Sequence, residues 1–263
     1  MASDSTRSRT SAAIDGTSRS RSRTWTRATG VEHRASSNCH TCVEAGLPAR
    51  VFLAKTTTKS AEPFVPDTRD LGRLHDAAAS CRGCDLYARA TQVVFGEGSK
   101  RSRMVLVGEQ PGDVEDVRGQ PFVGPAGGVL DRALAAAGID RVDVYLTNAV
   151  KHFSFEERGK RRIHKKPRLS EMRACRPWLE AELQAIRPSC VVCLGSTAAQ
   201  SLLGPEVRIM QARGQVLKDT PWAPAVVVTI HPSAVLRADD GEALFEMLVD
   251  DLKVARKASR KAE

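Results

Sequence analysis

Four short apolar runs punctuate the chain at Met104–Val107, Val142–Leu146, Cys190–Leu194 and Ala225–Ile230. Each reads as a buried strand. Between and around them lie stretches with apolar residues at helical spacing: Thr68–Ala79, Ala126–Ala137 stopping at Gly138, Ser170–Ile186 with Ser170 as its cap, Thr197–Leu203 and Ala243–Ala258. Strands alternating with helices build a parallel sheet covered on both faces. The expected fold is therefore α/β, a three-layer α/β/α arrangement around a mainly parallel, four-stranded sheet. Such sheets carry their sites on loops beyond the carboxyl ends of the strands. Three loops qualify: the turn Gly108-Glu109-Gln110-Pro111-Gly112, the basic run Lys160-Arg161-Arg162-Ile163-His164 after VYLTN, and His231-Pro232-Ser233. One titratable nucleophile among cations at a sheet edge points to chemistry on a polyanion.

Charge supports that partner. The 263 residues carry a net charge of +9. Residues 1–62 hold ten Lys/Arg against five Asp/Glu, a balance of +5 that leaves +4 for the rest. That remainder concentrates in Lys160–Arg168 and in Lys253, Arg256, Lys257, Arg260 and Lys261. Clustered cations release counterions from phosphates, which makes nucleic acid the natural partner. Residues 1–62 are rich in Ser, Thr and Arg and show no hydrophobic period, so they read as a disordered tail before a domain at 63–263. The tail is similar in composition to an organelle transit peptide, and a DNA-binding arm explains it equally well. No apolar run approaches the ~20 residues of a membrane span. The N-terminus has no signal-peptide core, so the expectation is a monomeric bacterial cytoplasmic protein, on the nucleoid when bound to DNA.

Seven cysteines form three CxxC pairs with one left over. An odd count without a secretion signal argues against a disulfide framework. Cys190 and Cys193 lie on one strand and point to opposite faces, as packing residues do. Cys39 and Cys42 fall in the tail. Cys81 and Cys84 flank Gly83, whose tight turn lets two thiolates face one ion. Cys175 and His152 are the remaining candidates for a Cys3His set, which suits either zinc or an iron–sulfur cluster.

The ordered motifs CRGC, VVFGEG, VLVGEQPGDVED, PFVGPAG, YLTNAVKHF and TIHPS resemble the family 4 uracil-DNA glycosylases over roughly Pro63 to Ala258. Three departures match the UdgX branch of that superfamily. Gln110 stands where a small residue is usual, His152 where a cysteine follows TNxVK, and a KRRIH loop intervenes. The resemblance implies a [4Fe–4S] cluster on Cys81, Cys84, His152 and Cys175. It also implies an enzyme that removes uracil from DNA, single-stranded by preference, and is left covalently attached through His164.

The chemistry assigns roles to the same residues. A flipped pyrimidine stacks on Phe122, while the Asn148 amide matches the acceptor and donor of uracil. His231 donates to the base oxygen as negative charge develops there, helped by N–H groups of the Gln110–Gly112 turn. His164 captures the cationic sugar as a neutral imidazole. Lys160, Arg161, Arg162, Lys165 and Lys166 hold phosphates and depress His164 protonation. Glu109 or Asp116 orients its ring, and Asp113 positions water. Two alternatives remain: an ordinary turnover glycosylase, with His164 only a phosphate contact, and a non-catalytic iron–sulfur protein that binds nucleic acid.

Overall fold

The computed structural model describes residues 59–261. The tail and its Cys39/Cys42 pair lie outside the described residues. Residues 59–62, assigned to that tail from composition, pack against the domain instead: Ala61 is buried and its N–H donates to the Ala174 carbonyl at 2.8 Å.

Helix α1 spans Leu71–Ala78, and the Asp70 side chain accepts from the Arg73 N–H at 2.9 Å as its cap. Strand β1 (Met104–Gly108) leads through α2 (Asp113–Arg118) and α3 (Pro125–Ala136) to β2 (Val144–Asn148). The hairpin β3 (Phe155–Arg158) and β4 (Arg161–His164) comes next, followed by α4 (Leu169–Ile186) and β5 (Cys190–Leu194). Then come α5 (Ser196–Leu203), α6 (Ile209–Ala212), β6 (Val216–Leu217), β7 (Ala225–Thr229), α7 (Pro232–Arg237) and α8 (Gly241–Lys261).

The sheet order is β2-β1-β5-β7-β6. Its first four strands are the expected ones and pair in parallel. The fifth, β6, is a two-residue edge strand antiparallel to β7, too short to leave a period in the sequence. Side chains alternate across the sheet. Leu106, Val192 and Val227 pack with Leu130 and Leu134 of α3 and Leu248 and Leu252 of α8. Val105, Val107 and Val226 pack with Leu179 and Leu183 of α4 and Leu202 of α5. Cys190 falls in the first group and Cys193 in the second, as their spacing requires. Among the described residues no helix is long and apolar enough to cross a membrane.

Two local expectations change. Ser170 lies inside α4; the helix starts after Arg168, whose N–H donates to Glu171 Oε2 at 2.6 Å. The KRRIH run is not a loop. It forms β4, paired with β3 through the two-residue connection Gly159–Lys160, with Gly159 at φ +61° as a glycine-first hairpin turn requires.

A buried ionic network underlies the end of β2. Lys151 and Glu182 are both fully buried, and Lys151 Nζ contacts Glu182 Oε2 at 2.5 Å. Lys151 also donates to the Asn148 carbonyl at 2.9 Å. Glu182 accepts from the Tyr145 hydroxyl, the Thr147 hydroxyl and the Gly96 N–H, each at 3.0 Å. Removing one partner strands the other charge in an apolar interior. Glu182→Ala should therefore lower unfolding stability by about 3–5 kcal/mol, read from the denaturant midpoint. A loss below about 1 kcal/mol would mean that water reaches the pair.

Candidate active site

The chain leaves β1 toward β2 on one side and later returns to β5 on the other, so the order reverses between β1 and β5. The crevice beyond the carboxyl ends of these strands is where such sheets bind ligands. Glu109 follows β1 and Thr197 opens α5 after β5, and the Thr197 hydroxyl donates to Glu109 Oε2 across that crevice.

Phe122 and Asn148 close over Gly108 at the end of β1, where a Cβ would come 2.6 Å from Phe122 Cζ and overlap Asn148 Oδ1. Phe122 is 6% exposed and holds φ at +55°, in the left-handed region that costs a non-glycine residue of order 1 kcal/mol. The Phe122 and His231 rings lie 6.3 Å apart with planes tilted 31°. Asn148 is 3% exposed, and among the described residues nothing hydrogen-bonds its side-chain amide.

His231 caps α7. Its Nδ1 accepts from the Ser233 N–H at 3.2 Å, so the neutral ring carries its proton on Nε2. Burial, reinforced by Arg237 and His164, pulls its pKa down to about 4. The ring is a neutral N–H donor throughout the physiological range. Glu115, which sequence reasoning missed, braces the two loops: Oε2 accepts from the Gly112 N–H at 3.1 Å and Oε1 from the Gly124 N–H at 2.8 Å. The Gly112 N–H is thus already engaged and is not a donor to a ligand.

The His164 side chain is half-exposed and near enough to His231 to act on its protonation. Its Nε2 lies 2.9 Å from Gln110 Nε2 and 3.5 Å from Glu109 Oε1. The amide can only donate there, so the imidazole offers its Nε2 lone pair. Partial burial lowers the His164 pKa; Glu109 opposes the shift and Arg237 adds to it.

Several expected roles move. Gln110 does not face the base site: its amide nitrogen donates to the Ser154 and Lys165 carbonyls at 3.1 and 3.0 Å, and its oxygen accepts from the Ser154 N–H at 3.1 Å. Asp116 does not orient His164. It is fully buried, accepts from the Thr91 N–H at 3.0 Å and meets Arg162 Nη1 at 2.6 Å. Asp113 likewise faces Arg162, at 2.6 Å from Nε. Arg162 is thereby consumed as a clamp rather than held ready for phosphate, and Lys165 pairs with Glu156. The cation that acts on His164 is Arg237, from α7. Lys160, Arg161 and Lys166 remain exposed on the hairpin side of the cleft.

A family model for the uracil DNA glycosylase superfamily matches residues 95–253. The type-4 uracil-DNA glycosylase of Archaeoglobus fulgidus is 39% identical over 163 residues, which are 60% of this chain and 78% of that protein. The Thermotoga maritima enzyme of the same name is 37% identical over 182 residues, 69% of this chain and 90% of its own. That from Pyrobaculum aerophilum is 33% identical over 178 residues, 64% and 85%. The chain belongs to the uracil DNA glycosylase superfamily.

The glycosylase fold brings three of the cysteines together. Cys81, Cys84 and Cys175 are buried in one cluster around Trp178. Trp178 Nε1 donates to Cys81 Sγ at 3.2 Å, and the Lys151 N–H to Cys175 Sγ at 3.3 Å. Burial pushes the Cys175 thiol up to about 12 and raises Cys84; the neighbouring thiols add to both shifts. Gly83 admits the close approach of Ala61, whose backbone a Cβ would meet at 2.6 Å. His152 is buried too, with its pKa pulled to about 4 by burial, but the charge it senses is Asp116. The three thiols stand together, while among the described residues no three His, Cys, Asp or Glu side chains close on one metal position.

The His231 ring gives a direct check. Its proton NMR titration should have a midpoint near 4, against ~6.5 for a hydrated histidine. The sign follows: the unfolded chain takes up this proton first, so between those values stability falls as pH falls. A midpoint near 6.5 would mean that water reaches the ring and that it is not a fixed neutral donor.

Proposed function

We propose that this chain excises uracil from DNA and then joins its own His164 to the sugar it has stripped, acting once per site. The relatives named type-4 uracil-DNA glycosylases support the first half. The likeness of Gln110, His152 and KRRIH to the UdgX branch supports the second. The observation that carries it is the placing of the His164 imidazole, its Nε2 2.9 Å from Gln110 Nε2 and 3.5 Å from Glu109 Oε1, where partial burial lowers its pKa.

The base leaves the stack and comes to lie against Phe122. The Asn148 amide meets O4 and N3–H. Cytosine reverses that pattern and leaves buried polar groups unpaired. The C1′–N1 bond breaks with its electron pair on the base, and the Nε2–H of His231 steadies the charge that gathers on the base oxygen. The His164 lone pair then forms a bond to C1′. Two Gln110 N–H bonds serve three acceptors, so the imidazole nitrogen is released at little cost. Loss of the imidazolium proton balances protonation of the uracil anion. An alkylated imidazole is a poor leaving group, and the product persists.

The proposed substrate is single-stranded uracil DNA, bound by a monomer in the bacterial cytoplasm; Lys160, Arg161 and Lys166 supply phosphate contacts. The proposed cofactor is a [4Fe–4S] cluster. The residues offer it three buried thiols of one cluster, Cys81, Cys84 and Cys175, of the soft-ligand type it demands, and the resemblance assigns His152 as the fourth ligand. Bound there, it would serve as a structural tie between the segment around Cys84 and α4.

His164→Ser leaves room for water in place of the imidazole. With a labelled single-stranded uracil oligonucleotide, the wild-type chain should give a label at protein mass that survives SDS and heat. The variant should give none, yet still release uracil and leave alkali-labile DNA. Loss of both activities in the variant would remove the nucleophile assignment.

A further inference from the structure

We propose that Arg89 is a positioning residue for His164, acting through Phe155; its effect on capture rests on the covalent reading above, its effect on the ring does not. Phe155 is the cross-strand partner of His164 in the β3–β4 register. Two guanidinium groups lie over its ring, Arg89 at 4.7 Å and Arg162 at 5.2 Å. Phe153 stacks on it at 5.1 Å and in turn lies 6.1 Å from the His164 ring. Arg89 Nη1 also donates to the Phe155 carbonyl at 3.4 Å, and Nη2 stands 3.6 Å from Glu157.

Arg89 comes from a fixed backbone. It closes the single helical turn Asp85–Ala88 that follows Cys84, with its N–H on the Leu86 carbonyl at 3.2 Å. Two residues on, the Thr91 N–H is held by Asp116 and its hydroxyl by Arg162. The hairpin is therefore gripped on ring and carbonyl at the residue opposite His164. The Glu157 ion pair is more than half exposed on both sides and adds little.

Phe122, Asn148 and His231 stand on other supports: Glu115, the Lys151–Glu182 network and Ser233. Loosening the hairpin should leave base removal intact and let water compete with His164 for the sugar. In Arg89→Ala, the ratio of covalent adduct to free abasic DNA should fall by about fivefold or more. Total uracil release in the first turnover should stay unchanged. Arg89→Lys, which keeps a cation over the ring, should recover part of the ratio. The His164 NMR titration midpoint should rise toward the hydrated value in Arg89→Ala, while that of His231 stays put.

An unchanged ratio with an unmoved His164 midpoint overturns the proposal. So does a proportional fall in both products, the mark of general destabilisation. If the alanine variant fails to fold, Arg89→Lys and Phe155→Leu are read by the same two measurements. A wild-type chain that forms no adduct refutes the covalent reading, and the midpoint of His164 then decides the positioning role alone.

Discussion

The carboxylate of Asp116 has no access to solvent, and the surroundings of His164 follow from how that charge is met. A buried, unpaired carboxylate costs several kcal/mol, so Arg162 must reach it. Arg162 lies on β4 two residues before His164, and residues two apart on a strand share a face. Docking the arginine against α2 therefore turns the histidine toward the same cleft. Arg161 and Ile163 point the other way, and Arg161 is left exposed. A run that composition reads as solvated is held by one desolvated charge pair and by aromatic faces.

Two support systems meet at the crevice between β1 and β5. One belongs to the sheet: Gly108 and Asn148 end β1 and β2 and His231 follows β7, while Glu115 braces the loops at Gly112 and Gly124 and Lys151, paired with Glu182, holds the Asn148 carbonyl. It brings Phe122, the Asn148 amide and the neutral His231 ring together. The other is the hairpin, added on top of the sheet and joined to β1 through Gln110. In a glycosylase that releases its product, water takes the last position. In the proposed reading a hairpin carries the His164 lone pair to it, and base recognition and sugar capture rest on different contacts that substitutions can separate.

Much of this was legible in the sequence. The four parallel strands were visible because each is a short apolar run buried on both faces. Asn148, His164 and His231 could be grouped because they lie at or just beyond strand ends, whereas Phe122, between α2 and α3, was marked only by the PFVG motif. What stayed hidden was partner choice over long distances. Arg162 looked like its neighbours in a basic run, and nothing local marks it as the mate of Asp116, 46 residues away. Gln110 looked like part of a base-binding turn, but its amide is spent on backbone groups of Ser154 and Lys165. The hairpin was missed because FEER and RRIH carry too few apolar residues to show a period. Gly159 between two short polar runs was its one local sign. The Lys151–Glu182 pair was equally silent, since charged residues are seldom fully buried.

The central claim is that His164, and not water, takes the sugar. The most direct measurement is the amount of free uracil released per protein chain, with single-stranded uracil DNA in large excess. The account predicts a burst that stops at one uracil per chain, with every chain then carrying DNA. Release that continues past one equivalent would contradict it, and would make this a turnover glycosylase with a phosphate-binding hairpin.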